Sequence, residues 1–224
     1  MEIKSTKGLH SSQVKAIVYG DSGNGKTSLL GTLPEPKTLI ISAESGLLCL
    51  DGKDIAVAEI NTWPDLISVA TMLVNGDLPQ FDYICIDSLT ELSDMLVKHL
   101  ESSPEFKDPK MALKMWGEFS KRMTKVIKGF RDLQGKHVIF TALSEDVLDN
   151  GTVTKKPYIK GSAVQKMLNS YFDEVFYLGI EDGTGERILQ TQPTSSISAK
   201  DRSGKLKPIE EPNLNNIINK IKGI

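Results

Sequence analysis

An apolar, β-branched run from Val14 to Tyr19 leads directly into Gly20-Asp21-Ser22-Gly23-Asn24-Gly25-Lys26-Thr27, and Lys26 to Leu33 then carries helical spacing up to Pro34. Strand, glycine loop and helix in that order leave few folds open. The glycines let the chain turn so that successive N–H groups face one point, where the helix N-terminus adds positive potential. The spacing is G-x-x-x-x-G-K-[ST], a cradle for phosphate oxygens. It places Lys26 for β and γ phosphates and the Thr27 hydroxyl for Mg²⁺. The phosphate-binding set read from it is Gly20, Asp21, Ser22, Gly23, Asn24, Gly25, Lys26, Thr27 and Ser28.

The rest of the chain continues the alternation. Strand patterns occur at Thr38 to Ser42, Ile55 to Ile60, Phe81 to Asp87 and His137 to Leu143. Helical patterns lie between them at Asp65 to Val74, Leu89 to Leu100 and Met111 to Leu133, with a polar loop around Ser102 to Pro109. Nearly continuous apolar strands joined by helices predict an α/β fold, a mainly parallel sheet with helices on both faces. From residue 145 the pattern changes. Glu145 to Asp149 and Thr152 to Tyr158 flank the turn Asn150-Gly151, a hairpin signal. Val175 to Gly179 and Arg187 to Thr191 suggest a second antiparallel pair, and Asn213 to Ile221 a closing helix. With no break in composition, residues 1–224 read as one domain, with a short arm over 1–12 and an antiparallel extension over 145–224.

A phosphate loop that handles a nucleoside triphosphate needs a second oxygen ligand for magnesium. Asp87 supplies it at the end of the apolar strand, where an ionised carboxylate is expensive unless a cation compensates it. The competing role for Asp87 is to cap the next helix, although Ser88 can take that role. Thr27 and Asp87 are therefore the expected metal ligands.

Composition excludes other classes. The 224 residues are 39 % hydrophobic and 25 % charged, which argues for a folded globular chain. Two cysteines cannot make a disulfide framework, and Cys85 lies in an apolar strand, which favours a reducing compartment and a cytoplasmic location. Three scattered histidines offer no zinc spacing, and no leader or membrane span is read from the pattern. A net charge of −2 means that any nucleic-acid contact must come from local patches.

With these residues in place the chain resembles the RecA-like branch of P-loop ATPases, in particular small phage-encoded nucleotide-binding proteins that include the Sak-type single-strand annealing recombinases. The resemblance spans nearly the whole length. The phrase Thr38 to Leu47 is similar to the family's second strand with its terminal glutamate, which implies that Glu44 polarises the attacking water. Lys200-Asp201-Arg202-Ser203-Gly204 is similar to a finger element, which implies that Lys200 and Arg202 reach the γ-phosphate bound by a neighbouring subunit. Together with Lys26 these are the implied catalytic residues. In such folds the segment after the strand ending at Leu143 lines a DNA channel. Lys155, Lys156, Tyr158 and Lys160, cations around an aromatic ring with no intervening acid, suit single strands. The basic residues of the helix after Lys114 read instead as a solvated face. One departure from the family is Leu143 with Ser144 following, where relatives place a polar sensor.

The resemblance implies an ATPase that uses ATP and Mg²⁺, forms homo-oligomers with shared sites, and acts on single-stranded DNA in phage recombination or replication. Single-strand binding protein is a further implied partner, and the host cytoplasm the implied compartment. The alternative is a nucleotide-gated binding or scaffold protein of the replication machinery that never touches DNA. A nucleotide kinase is disfavoured, because no Arg-rich lid follows the central helices.

Overall fold

The structure is a computed structural model that describes residues 13–224 apart from Ser45, Asn150 and Asp182, and of Asp149 the backbone only. The expected arm over 1–12 and the Asn150 position of the hairpin turn lie outside the described residues. In chain order the elements are β1 (Lys15–Gly20), α1 (Lys26–Leu30), β2 (Thr38–Ser42), β3 (Ala56–Glu59), α2 (Trp63–Asn75), β4 (Tyr83–Asp87), α3 (Leu89–Ser102) and α4 (Ala112–Arg131). There follow β5 (His137–Asp149), β6 (Thr152–Pro157), α5 (Ser162–Met167), β7 (Glu174–Ile180), β8 (Arg187–Gln190), β9 (Lys200–Asp201), β10 (Ile209–Glu210) and α6 (Leu214–Lys222).

The sheet runs in the order β10-β8-β7-β1-β5-β4-β2-β3. All neighbours from β3 through to β7 are parallel, while β8 and β10 continue the sheet antiparallel. This is the expected α/β class. The two-residue period of the strands divides the core. Ile17, Tyr19, Ile84, Ile86, Val138 and Phe140 face Leu66 of α2, Leu92 and Leu96 of α3, and Phe119, Met123 and Ile127 of α4. Ala16, Val18, Ile40, Cys85 and Ile139 face the other way, onto Leu29 and Leu30 of α1 and Ile217 and Ile218 of α6.

Local chemistry sets the helix starts. Thr62 and Asp65 form a reciprocal capping box on α2, and Gly76 ends that helix at φ 80°. Ser88 caps α3, its Oγ accepting from Glu91 N at 3.4 Å, which leaves Asp87 free of that duty.

Two departures from the sequence expectation stand out. The strand expected at His137 to Leu143 and the first hairpin strand are one continuous strand, β5. It passes its ladder from β1 to β6 at Leu143 and Ser144, and Tyr158 N donates to Leu143 O at 2.7 Å, so no break is needed. The helix α5 has no counterpart in the sequence reading, because one and a half turns are too short for periodicity to reveal.

At the start of β7 lies a buried carboxyl pair. Glu174 is 2 % exposed; its Oε1 accepts from Ser203 N at 3.3 Å, while Oε2 faces no donor. Asp201 of β9 lies against it, and burial together with the Asp201 charge pushes the Glu174 carboxyl up to about 8. Asp201 is the charged partner: burial works against it, but Ser203 Oγ and the Leu206 and Gly204 N–H groups donate to it and hold it low. A protonated Glu174 donating to Asp201 satisfies both. An unfolded glutamate releases its proton near 4.5, whereas the folded one keeps it to about 8. Between these values the folded state binds the extra proton, so this residue's contribution to stability falls as pH rises and levels off above about 8. Glu174→Gln keeps a donor toward Asp201 without a titrating proton. Denaturant unfolding from pH 5 to 9 is expected to show the parent losing on the order of a few kcal/mol relative to the variant across that window, with the difference flat above it.

Candidate nucleotide site

The loop leaves the C-terminal edge of the parallel strands, the edge at which open α/β sheets bind ligands. Gly20 ends β1 so close to β7 that a Cβ there would stand 2.3 Å from the Leu178 carbonyl oxygen. Gly25, the residue before α1, has φ 93°, a left-handed conformation that disfavours any side chain. Asn24 is buried and pins the loop, its Nδ2 donating to Leu178 O at 2.9 Å.

Lys26 is the first residue of α1 and is 8 % exposed. Its ammonium reaches back to Gly20 O and Asp21 O, both at 2.9 Å. Burial lowers its pKa, against the opposing pull of Glu44, Asp87 and Asp21. Next to it in the same helix, Thr27 Oγ1 donates to Asp87 Oδ2 at 2.7 Å. Asp87 is 1 % exposed, and Thr141 Oγ1 of β5 donates to its other oxygen in a short bond. Glu44 stands beside it. Ser42 and Asp87 are paired in register, Ala43 N donates to Asp87 O at 2.8 Å, and Ser88 Oγ donates to Glu44 Oε1. Loop, Lys26, Thr27, Asp87 and Glu44 are thus gathered at one edge.

A hard cation that takes oxygen ligands fits this set. The Asp87 carboxylate and Thr27 hydroxyl are adjacent, the carboxylate is buried, and among the described residues its compensation comes from the hydroxyl donors and the nearby Lys26. Thr27 and Asp87 would hold Mg²⁺, with phosphate oxygens and water completing its shell.

Other predicted residues lie elsewhere. Lys200 pairs in register with Val175, which itself pairs with Ile17, three residues before Gly20, and Arg202 lies further toward the strand starts. At about 3.3 Å per residue both stand about 10 Å or more from their own phosphate loop. Lys200 Nζ donates to Asn169 O at 2.8 Å and to Phe172 O, and Arg202 pairs with Asp173 at 2.5 Å. On the hairpin, Lys155 lies 3.4 Å from Asp21 and 3.2 Å from Asp146. Lys160 pairs with Asp94 at 2.8 Å, Lys156 stands opposite Glu145, and Tyr158 is half-buried.

Three further side chains take part that sequence reasoning does not identify. Ser144 Oγ donates to Asp21 Oδ1, and that bond, joined by Lys155, holds the Asp21 carboxyl below its ordinary range. Thr141 is visible in principle as the one hydroxyl inside Val138-Ile139-Phe140-Thr141-Ala142-Leu143. Arg187, whose Nε donates to Asn24 O at 2.8 Å, carries no sequence signal.

A known family matches most of the chain. The family described as AAA domain (AAA_24) matches residues 12–203. The chain belongs to this family. It is a P-loop domain of ATPase type. Among solved structures it is similar to the RadB recombinase, at 16 % identity over 88 % of this chain and 90 % of that one, with a TM-score of 0.48. It is also similar to the KaiC-like protein PH0186 from the hyperthermophilic archaeon Pyrococcus horikoshii OT3, at 12 % identity over 79 % of this chain and 77 % of that one, with a TM-score of 0.43. No curated protein matches the chain. Among the described residues no helix is long and apolar enough to cross a membrane.

Proposed function

We propose that this AAA domain binds ATP with Mg²⁺ and hydrolyses it, and that a neighbouring copy completes each site. The observation that carries the reading is the buried Asp87 carboxylate bonded to Thr27, with Lys26 and Glu44 beside it. Bound Mg²⁺ supplies positive charge against the phosphate oxygens. Lys26 exchanges its bonds to Gly20 O and Asp21 O for phosphate. Glu44, fixed by Ser88, accepts a proton or hydrogen bond from the attacking water. Lys200 and Arg202 are too far from their own loop to serve it, which supports action on the loop of the next copy.

For the macromolecular partner we propose single-stranded DNA, in phage recombination or replication, held by Lys155, Lys156, Tyr158 and Lys160. A second reading, a nucleotide-gated binding protein without DNA contact, is favoured by one feature. Lys155 and Lys160 are already paired with carboxylates, so DNA phosphates must displace Asp21, Asp146 and Asp94.

Calorimetric titration with ATP is expected to show that Lys26→Ala loses most binding, whereas Glu44→Gln binds normally and turns over slowly. Unchanged affinity in the first variant overturns the phosphate-loop assignment, and parental turnover in the second moves the water-activating role away from Glu44.

Site sharing has its own test. Arg202→Ala and Lys26→Ala are each expected to be inactive in hydrolysis, and a mixture whose subunits have exchanged is expected to regain turnover. In the mixture one chain supplies the loop and the other the guanidinium. No regain after demonstrated exchange argues for a structural turn at 200–204.

The DNA reading predicts that an unstructured oligonucleotide binds with affinity that falls steeply with salt, and that alanines at 155, 156 and 160 flatten the slope. Absence of binding at low salt favours the gated-scaffold reading.

A further inference from the structure

The chain has four arginines, and three are paired with carboxylates: Arg122 with Glu118 at 2.6 Å, Arg131 with Asp132 at 2.7 Å and Arg202 with Asp173 at 2.5 Å. Arg187 has no carboxylate partner among the described residues. Its place in the fold is the first position of β8, where its Nε donates a hydrogen bond to the Asn24 carbonyl, 2.8 Å away. The guanidinium also covers Gly25. A Cβ built on that glycine would stand 2.8 Å from Nε, 3.3 Å from Cζ and 3.4 Å from Cδ of Arg187. The positive φ of Gly25 favours glycine, and the arginine occupies the space that a side chain there would enter.

A guanidinium is always charged and offers five donors, of which the bond to Asn24 uses one. It is held against a loop whose N–H groups already point at an anion site. The flank it occupies matters. In the sheet order β7 and β8 lie on one side of β1, whereas β5, β4 and β2, which carry Thr141, Asp87 and the approach to Glu44, lie on the other. Arg187 thus approaches the loop from the side away from the residues assigned to the terminal phosphate.

We propose that Arg187 is a nucleotide-binding residue, acting within its own chain, that takes the non-transferred phosphates of a nucleoside di- or triphosphate as the anionic partner it lacks among the described residues. The inference rests on the phosphate-loop reading above and assigns Arg187 a role distinct from that of Arg202. Because the phosphates concerned are common to ATP and ADP, the contact holds substrate and product alike and contributes to affinity rather than to the chemical step.

The test is calorimetric titration of the whole chain and of Arg187→Ala and Arg187→Lys with Mg-ADP and with pyrophosphate, each variant's melting temperature being recorded without ligand. Charge-assisted bonds of this kind predict that Arg187→Ala weakens both ligands by about tenfold to a hundredfold. Arg187→Lys, which keeps charge but loses the fork, is expected to fall between. If Arg187→Ala melts well below the parent, Arg187→Lys decides instead, and parental affinity for both ligands in that variant would overturn the proposal. Unchanged ADP affinity in a folded Arg187→Ala variant overturns it as well, as a contact to the terminal phosphate alone would give. Weakened ADP with unchanged pyrophosphate also overturns it, by moving the contact to the ribose or base. If the parent itself binds neither ligand, the phosphate-loop reading fails, and this proposal fails with it.

Discussion

Burying an ionised carboxylate at the end of a central strand is costly unless donors surround it, and Asp87 meets that constraint with the hydroxyls of Thr27 and Thr141. Those two bonds join three elements. Thr27 brings the first turn of α1, and with it the glycine loop, over the end of β4. Thr141 does the same for β5, the strand that separates β4 from β1. Lys26 is drawn into the same neighbourhood, desolvated but surrounded by Glu44, Asp87 and Asp21. The site thus gathers one buried carboxylate bonded to two hydroxyls and one partly desolvated ammonium bonded to two backbone carbonyls. On the proposed reading a magnesium phosphate would bring charges of both signs to this pair of groups together.

What was legible in the sequence follows from how locally each feature is determined. The glycine loop needs only its own eight residues. Asp87 was readable because a charge closing an apolar strand conflicts with its surroundings, and Ser88 because a cap sits immediately before its helix. Glu44 came through resemblance and does lie beside Asp87. Other features depend on partners far away in the chain. Arg187 meets Asn24 across 163 positions, and Ser144 meets Asp21 across 123. No periodicity or spacing encodes such a meeting. The continuity of β5 was hidden for a related reason: its polar second half is paired by β6 rather than by the buried sheet, so its pattern changes although the strand does not end.

The sheet separates two kinds of chemistry along its strands. Loop, Thr27, Asp87 and Glu44 share the C-terminal edge, while β9 places Lys200 and Arg202 toward the strand starts. There Lys200 is tied to the carbonyls of Asn169 and Phe172, and Arg202 to Asp173. The intervening Asp201 collects donors from Ser203, Gly204 and Leu206 and lies against Glu174, so the turn has a definite shape without being buried as a whole. Rigid presentation of an exposed guanidinium lowers the entropic cost of a contact with another molecule, because less side-chain or loop freedom is left to lose on binding.

The loop and the hairpin share one carboxylate. Asp21 accepts from Lys26 with its backbone carbonyl and from Ser144 and Lys155 with its side chain, so a single residue touches the first residue of α1, the middle of β5 and the first basic residue of β6. Lys155 is balanced on its other side by Asp146. These pairs are partly exposed, where individual ion pairs are worth little, so neither holds the lysine firmly. Their effect is one of sign. On the proposed reading, phosphate in the loop would add negative charge next to Asp21 and strengthen the field on Lys155, whereas phosphate reaching the hairpin from outside would compete with Asp21 for the same ammonium. Leu143 offers no polar side chain here, and Ser144, one residue later, donates to Asp21 instead.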